Sequence, residues 1–229
     1  MKLKELAAMK ALEYVRSGMI LGLGTGSTSA IFVDALGSAL RQGTLKDIRG
    51  VPTSIEVADR ARQERIPLTT LADNPRLDLA VDGADEVDGQ NNLIKGLGRA
   101  LLREKIVEIH AERFIVIVDE SKLVTSLGSK VPLPVEIIQF EAEAHVRWLT
   151  TLGCRAGLWL EKDGQPVVTD NGNYLARCWF NQSGGSGIPD IHKLDRELNQ
   201  RPGIVEHGLF LGMADQVIVA GKDGIKMIE

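Results

Sequence analysis

Apolar side chains at Leu3, Leu6, Met9, Leu12 and Val15 recur every three or four positions and predict a helix over 3–16. Met19–Leu23 is a short apolar run that reads as a strand, followed by a glycine loop and a helix through Ser29–Leu40. Ile48–Pro52 predicts a second strand, and Ile55–Arg65 keeps helical spacing until Pro67 stops it. Leu68–Leu71 and Leu77–Val81 read as further strands, the Glu104–Glu112 region as a helix, and Phe114–Val118 as the most buried strand. Strands alternating with helices predict an α/β fold: a Rossmann-like open parallel sheet with helices on both faces.

The rhythm changes after Lys130. Pro132 and Pro134 mark a boundary, Glu141–Leu152 is helical, and 156–161 and 174–180 alternate like antiparallel strands. Asp163-Gly164 and Asn171-Gly172 supply turns, and Leu194–Asn199 predicts a helix ended by Pro202-Gly203. Gln216–Ala220 and Ile225–Ile228 return to the strand pattern. The predicted organisation is a main domain over 1–131 and 208–229, with a smaller α+β domain over 132–207.

Composition narrows the function classes. The 229 residues are 44% hydrophobic and 25% charged, ordinary for one large domain or a large one with a small companion. A net charge of −4, with no basic stripe, argues against a general nucleic-acid surface. Cys154 and Cys178 lack metal spacing and are read as reduced thiols, although they could pair across a hairpin. The first residues have no signal-peptide core, and no run of eighteen apolar residues occurs, so a soluble cytoplasmic protein with no membrane partner is expected.

Three segments carry candidate chemistry. Gly22–Thr28 follows a strand and precedes a helix, so its amides would point at an anion with the helix dipole behind them. It is not the dinucleotide fingerprint, whose last glycine would fall at Ser27, and it lacks the Gly-Lys-Ser/Thr of a Walker loop. Thr25, Gly26, Ser27 and Thr28 suit a single phosphate or sugar hydroxyls; the same residues would equally make a tight turn with Ser27 or Thr28 as N-cap. Asp82-Gly83-Ala84-Asp85-Glu86 ends another strand, and its clustered carboxylates suit proton exchange with hydroxyls; the same residues would equally make a metal loop or a merely solvated polar turn. Lys95-Gly96-Leu97-Gly98 gathers a cation and exposed amides ahead of a helix bearing Glu104, although singly Lys95 would read as a solvated charge and Glu104 as a surface helix glutamate. Lys122, after the central strand, is a further candidate cation at the same rim, or simply a surface charge. EF-hand spacing is absent and the histidines at 110, 145, 192 and 207 are scattered, so no metal and no cofactor are expected.

Taken in order, these segments resemble the ribose-5-phosphate isomerase A family. The matching runs are Gly22–Thr28, Asp82–Glu86, Lys95–Ile106, Ser121-Lys122, Leu133–Glu136, Thr169–Asn173, Pro202-Gly203 and Gly208–Phe210, spanning nearly the whole chain. The resemblance implies metal-independent interconversion of ribulose 5-phosphate and ribose 5-phosphate in the non-oxidative pentose phosphate pathway, and usually a homodimer. It implies Glu104 as proton acceptor, with substrate contacts from Thr25–Thr28, Asp82–Asp85, Lys95–Gly98 and Lys122. One departure stands out: the family's three glycines after the lysine are here Gly96-Leu97-Gly98, then Arg99. If the family's middle glycine has positive φ, Leu97 would be strained.

Such an isomerisation moves a proton between C1 and C2 through an enediolate, and one carboxylate over both carbons can make both transfers. Lys95 and the amides of Gly96 and Gly98 are candidate oxyanion donors, and Asp82 and Asp85 candidates for moving hydroxyl protons. Lys122, Ser27 and Thr28 would hold the phosphate, with Lys4 an additional candidate. A hydride shift would need a metal cage, for which the ligand spacing is missing. The competing classes are a sugar-phosphate sensor without a base and a different sugar-phosphate enzyme, such as a deaminating isomerase or a coenzyme A transferase. Only eighteen residues precede the first strand, too few for a helix-turn-helix reader on such a sensor.

Overall fold

The computed structural model describes residues 2–180 and 187–229. Among them the chain forms, in order, α1 (Leu3–Leu12), β1 (Ile20–Leu23), α2 (Ser27–Arg41), β2 (Arg49–Pro52), α3 (Ile55–Gln63) and β3 (Leu79–Asp82). Then come β4 (Glu86–Val87), β5 (Leu93–Ile94), α4 (Leu101–Glu108), β6 (Phe114–Asp119), a 3-10 turn (Glu120–Lys122) and β7 (Leu133–Ile137). The remainder is α5 (Ala142–Thr150), β8 (Arg155–Leu158), β9 (Tyr174–Trp179), α6 (Ile191–Gln200), β10 (Ile204–His207), β11 (Leu209–Phe210), β12 (Gln216–Gly221) and β13 (Gly224–Ile228). Among the described residues no helix is long and apolar enough to cross a membrane.

The chain divides into two compact units. The first comprises 1–84, 103–122 and 212–229, and the second 85–102 and 123–211. The first unit is a six-stranded sheet in the order β13-β12-β6-β3-β1-β2. β2, β1, β3, β6 and β12 are mutually parallel, and β13 returns antiparallel to β12. Leu21, Leu23, Val81, Ile115, Ile117 and Ile218 pack with Phe32, Val33 and Leu36 of α2 and the alanines 7, 8 and 11 of α1. Each large side chain so buried contributes roughly 1.5–3 kcal/mol. Val51, Leu77 and Val107 form a separate buried cluster. In this order the sheet grows from β1 to β2 on one side and from β1 through β3, β6 and β12 on the other. The reversal lies between β1 and β3, and in such sheets that crevice is where ligands gather.

Leu68–Leu71, read from sequence as a strand, supplies among the described residues only a single bridge, from Leu68 to Gly50. Pro67 contributes its carbonyl to the Gly50 amide, Thr69 donates back to Gly50, and Asn74 then closes a turn onto Thr70. A proline and an immediate turn leave no length for a ladder.

The second unit has a four-stranded antiparallel sheet, β10-β7-β9-β8, and a small sheet, β11-β5-β4. Leu133, Val135, Ile137, Leu149, Ala176, Cys178, Leu194 and Leu198 share its core. The two prolines read as a boundary instead bracket the start of β7, in which Pro134 pairs with Arg177. β10 reaches only as far as Val135, so Pro134 lies at the end of that ladder, where a missing donor is tolerated. Cys154 and Cys178 are both free and buried. A hydrogen bond that the Cys178 thiol donates to Cys154, together with burial, pushes Cys178 well above its usual range.

The segments 85–102, 123–131 and 208–211 pack in this second unit, whereas the change of rhythm at Lys130 places them in the main domain. The reason is local. Glu86, fully buried, accepts from the amides of Gly128 (2.5 Å), Lys130 (2.6 Å) and Val131 (2.9 Å), tying the loop before β7 to β4. β5 likewise pairs with β11, reaching residues over a hundred positions later. Replacing Glu86 by Ala would leave three amides without their acceptor. We expect a loss of about 3 kcal/mol or more in chemical denaturation. An unchanged midpoint would show that the loop needs no such anchor.

Candidate active site

In the first unit, the residues after β1 and β3 meet at the switch point. β1 and β3 run in register with Leu23 opposite Val81, so Gly24 and Asp82 follow side by side. Gly24 donates its amide to the Val81 carbonyl at 3.0 Å. A Cβ on Gly24 would stand 2.1 Å from the Asp82 carboxyl carbon. Only glycine admits that carboxylate. Asp82 is buried, and its Oδ1 accepts from the Ser29 hydroxyl (2.7 Å) and the Gly83 amide (2.6 Å). Ser29, itself fully buried on the first turns of α2, thus sets the orientation of Asp82. The sequence gives it no distinguishing mark.

Gly26 takes φ of 111°, closed to other residues, and begins α2 without a side-chain cap. The fifteen-residue helix therefore starts without a side-chain cap beside exposed Ser27, and a helix start of that kind suits an anion. Lys4 of α1 brings its Nζ to 2.8 Å from the Ser27 hydroxyl, adding a cation to that helix end. Lys122, in the turn after β6, lies close enough to Asp119 to act on it electrostatically, as does Lys4. Burial works to raise the Asp119 carboxyl, but hydrogen bonds from the Ser121 hydroxyl and amide, then Lys122 and Lys4, outweigh it and hold Asp119 below its ordinary value.

Thr25 has a different part from Ser27. Its buried hydroxyl lies 2.7 Å from the Thr53 hydroxyl and donates to Ser54 at 2.9 Å. Thr53 in turn donates to the Leu23 carbonyl, and the Ser54 oxygen caps α3 by accepting from Val57. Thr25 therefore shapes the loop by fastening it to the turn after β2. Glu104 lies on α4 and is 2% exposed, and Glu108, one turn on, is 3% exposed. Two carboxylates so deeply buried on one helix face are uncommon outside functional sites. Sequence spacing singles out Glu104 but gives no signal for Glu108.

In the second unit, Asp85 accepts from the Leu97 amide at 2.9 Å and donates its own amide to Ile94 at 2.7 Å. The carboxylate therefore holds the Lys95–Gly98 loop in shape. Lys95 is 2% exposed, and its ammonium sits 5.4 Å from the centre of the Phe210 ring. Its amide donates to the Gly208 carbonyl at 2.9 Å, and a Cβ on Gly208 would lie 2.2 Å from the Lys95 carbonyl oxygen. Gly208 and Phe210 are thus part of how Lys95 is placed, which their run in the sequence did not disclose. The left-handed backbone of this loop falls on Gly96 (φ 107°) and Arg99 (φ 67°). Leu97 lies outside that region, so the strain expected there is carried two residues later.

The first unit, taken alone, offers a helix start without a side-chain cap, two nearby lysines and an oriented carboxylate. The second, taken alone, offers a buried lysine on a loop of shaped amides.

Comparison with known proteins follows the same line. The family model of ribose 5-phosphate isomerase A (phosphoriboisomerase A) matches residues 49–224. An Arabidopsis thaliana protein named "Probable ribose-5-phosphate isomerase 3, chloroplastic" is 48% identical over 231 residues, covering 99% of this chain and 82% of its own. A solved D-ribose-5-phosphate isomerase in complex with phospho-erythronic acid superposes with a TM-score of 0.93 at 42% identity, covering 99% of this chain and 97% of that one. Ribose 5-phosphate isomerase A from Methanocaldococcus jannaschii gives 0.91 at 42% identity, covering 99% and 98%.

The close approach at Gly24 yields a test. Gly24→Ala should force Asp82 away from Ser29 and cost roughly 1–3 kcal/mol by overpacking, read from thermal denaturation. A variant of unchanged stability would show that the carboxylate is free to move aside.

Proposed function

Because the chain belongs to the ribose 5-phosphate isomerase A family, we propose that it interconverts D-ribose 5-phosphate and D-ribulose 5-phosphate through an enediolate, with Glu104 as proton acceptor. The observation that carries this reading is the near-complete burial of the Glu104 carboxylate on the helix following the Lys95–Gly98 loop. A base shielded from water is available to a carbon acid rather than to solvent.

The steps balance without a cofactor. From the open-chain aldose, Glu104 takes the proton on C2, and the electron pair moves to give an enediolate across C1 and C2. The same carboxyl returns the proton to C1, while the hydroxyl proton of O2 is transferred to O1, leaving a carbonyl at C2. Lys95, with the amides of Gly96 and Gly98, is assigned to the oxyanion that develops; a donor of this kind is worth about 2.7–4 kcal/mol of barrier. Asp82 and Asp85 are assigned to the hydroxyl-proton movements, including opening of the furanose. Ser27, Thr28 and Lys122, joined by Lys4, are assigned to the phosphate. Support for these last assignments comes from the uncapped start of α2 and the Lys4–Ser27 bond. The relative solved with phospho-erythronic acid holds a ligand of the same hydroxylated, phosphorylated type.

The reading extends to a cytoplasmic homodimer acting in the non-oxidative pentose phosphate pathway. Two buried free thiols suit a reducing compartment. Light scattering of the pure protein should return twice the chain mass if the dimer forms, and the chain mass alone would remove it.

Glu104→Gln should fold and bind sugar phosphate normally while kcat falls by about 10²–10⁴-fold. Conversion of ribose 5-phosphate to ketose, followed spectroscopically with and without a chelator, makes the measurement. Near-normal turnover by that variant removes Glu104 from the mechanism.

A further inference from the structure

Arg99 occupies a backbone conformation that its side chain disfavours. Its φ of 67° places it in the left-handed region, where glycine is at home. The guanidinium is engaged on two sides. Its Nη1 and Nη2 bond the two carboxylate oxygens of Glu161, the second at 3.1 Å, forming a two-pronged pair. Its carbon Cζ lies 5.2 Å from the centre of the Trp159 ring, on which Arg177 also packs at 5.0 Å.

Trp159 and Glu161 stand on a rigid support. Trp159 donates to Leu175 at 2.7 Å and accepts from Val167 at 2.8 Å, while Glu161 donates to Gln165 at 2.7 Å and closes the turn at Gly164. Residues two apart on such a ribbon face the same way, so aromatic ring and carboxylate are presented together. At the other end, the Arg99 amide donates to the Gly96 carbonyl at 2.9 Å and closes the turn Gly96–Arg99. The Leu97 amide inside that turn is held by Asp85. The turn is thereby fixed at both edges, by Asp85 within and by the Arg99 clamp at its end.

We propose that Arg99, clamped by Glu161 and Trp159, is a positioning residue that sets the conformation of the Lys95–Gly98 turn for isomerisation. This rests on the assignment of Lys95 and the turn amides to the developing oxyanion. Arg99 itself touches no reacting atom. Its contribution is to choose one conformation for a glycine-containing turn that would otherwise sample several.

The experiment compares wild-type, Arg99→Gly, Arg99→Lys, Glu161→Gln and the Arg99→Gly/Glu161→Gln double variant, with ribose 5-phosphate as probe and with thermal midpoints measured alongside. Arg99→Gly removes the clamp but accepts the left-handed backbone, so it should melt at or above the wild-type temperature. Its kcat should fall by between about ten- and a hundred-fold, as expected for displaced catalytic donors, with KM changed far less. Glu161→Gln should show part of that loss, the double variant no more than Arg99→Gly, and Arg99→Lys should recover only a fraction because an ammonium cannot make the two-pronged pair.

Wild-type kcat in Arg99→Gly overturns the proposal. So does a loss that merely follows a lower thermal midpoint, which is anchoring without positioning. A wild-type protein that fails to isomerise ribose 5-phosphate, or a fully active Glu104→Gln, removes the underlying reading instead and is recognisable as such in the same assay.

Discussion

A carboxylate buried against the end of a parallel strand needs room that a neighbouring side chain would ordinarily fill, and Gly24 leaves that room for Asp82. Much of the first unit's candidate site follows from this close approach. The Asp82 carboxylate then takes the Ser29 hydroxyl and the Gly83 amide, which orients it and fixes the start of the loop after β3. Gly26, two residues beyond Gly24, turns the chain into α2, whose start carries no side-chain cap. Sheet order makes that crevice, and two glycines make it usable.

The second unit applies the same device with other residues. Glu86 gathers three backbone amides, and Glu136, fully buried on β7, accepts from Thr169 (2.9 Å), Asn171 (3.2 Å) and Asn173 (2.9 Å). The turn at 169–173 is therefore more than the hairpin connection its Asn-Gly pair announces, since its side chains converge on a buried acid. Removing either carboxylate would strand several donors at once, whereas an exposed ion pair such as Arg62–Asp59 contributes at most about 1 kcal/mol. Buried acids bonded to loop backbone and turn side chains, rather than surface charge pairs, hold the irregular segments in place.

What the sequence disclosed and what it withheld divide along sequence separation. Phe114–Val118, Gln216–Ala220 and the α2 pattern announce themselves because neighbouring residues decide them. The short strands β4, β5, β10 and β11 do not, since each is only two to four residues long and gains its pairing from distant chain. Leu68–Leu71 has strand composition, yet among the described residues its strand-type bridge is the one from Leu68 to Gly50. Glycine loops and clustered acids were legible because those residue types are unusual where they stand. Ser29, Gly208 and Phe210 were not, because each acts through a contact across more than fifty positions. Lys4 and Thr25 show the finer limit: composition marks a hydroxyl or a cation but not which way it bonds, and Thr25 proves to face its own neighbours.

At Arg99 local preference and the observed backbone conflict. A left-handed non-glycine residue loses about 1–2 kcal/mol. A half-exposed ion pair returns at most about 1 kcal/mol, and an arginine over an indole at an exposed site about 0.5–1 kcal/mol. The gains and the strain nearly cancel, so the clamp adds little to stability. What it does add is definition, because guanidinium, carboxylate and ring meet in one geometry and the turn behind them is drawn into a single form. Had the left-handed residue been Leu97, its apolar side chain would have had no comparable partner with which to offset the strain. Placing it at Arg99 instead puts the disfavoured backbone under the one side chain of the turn that can hold it.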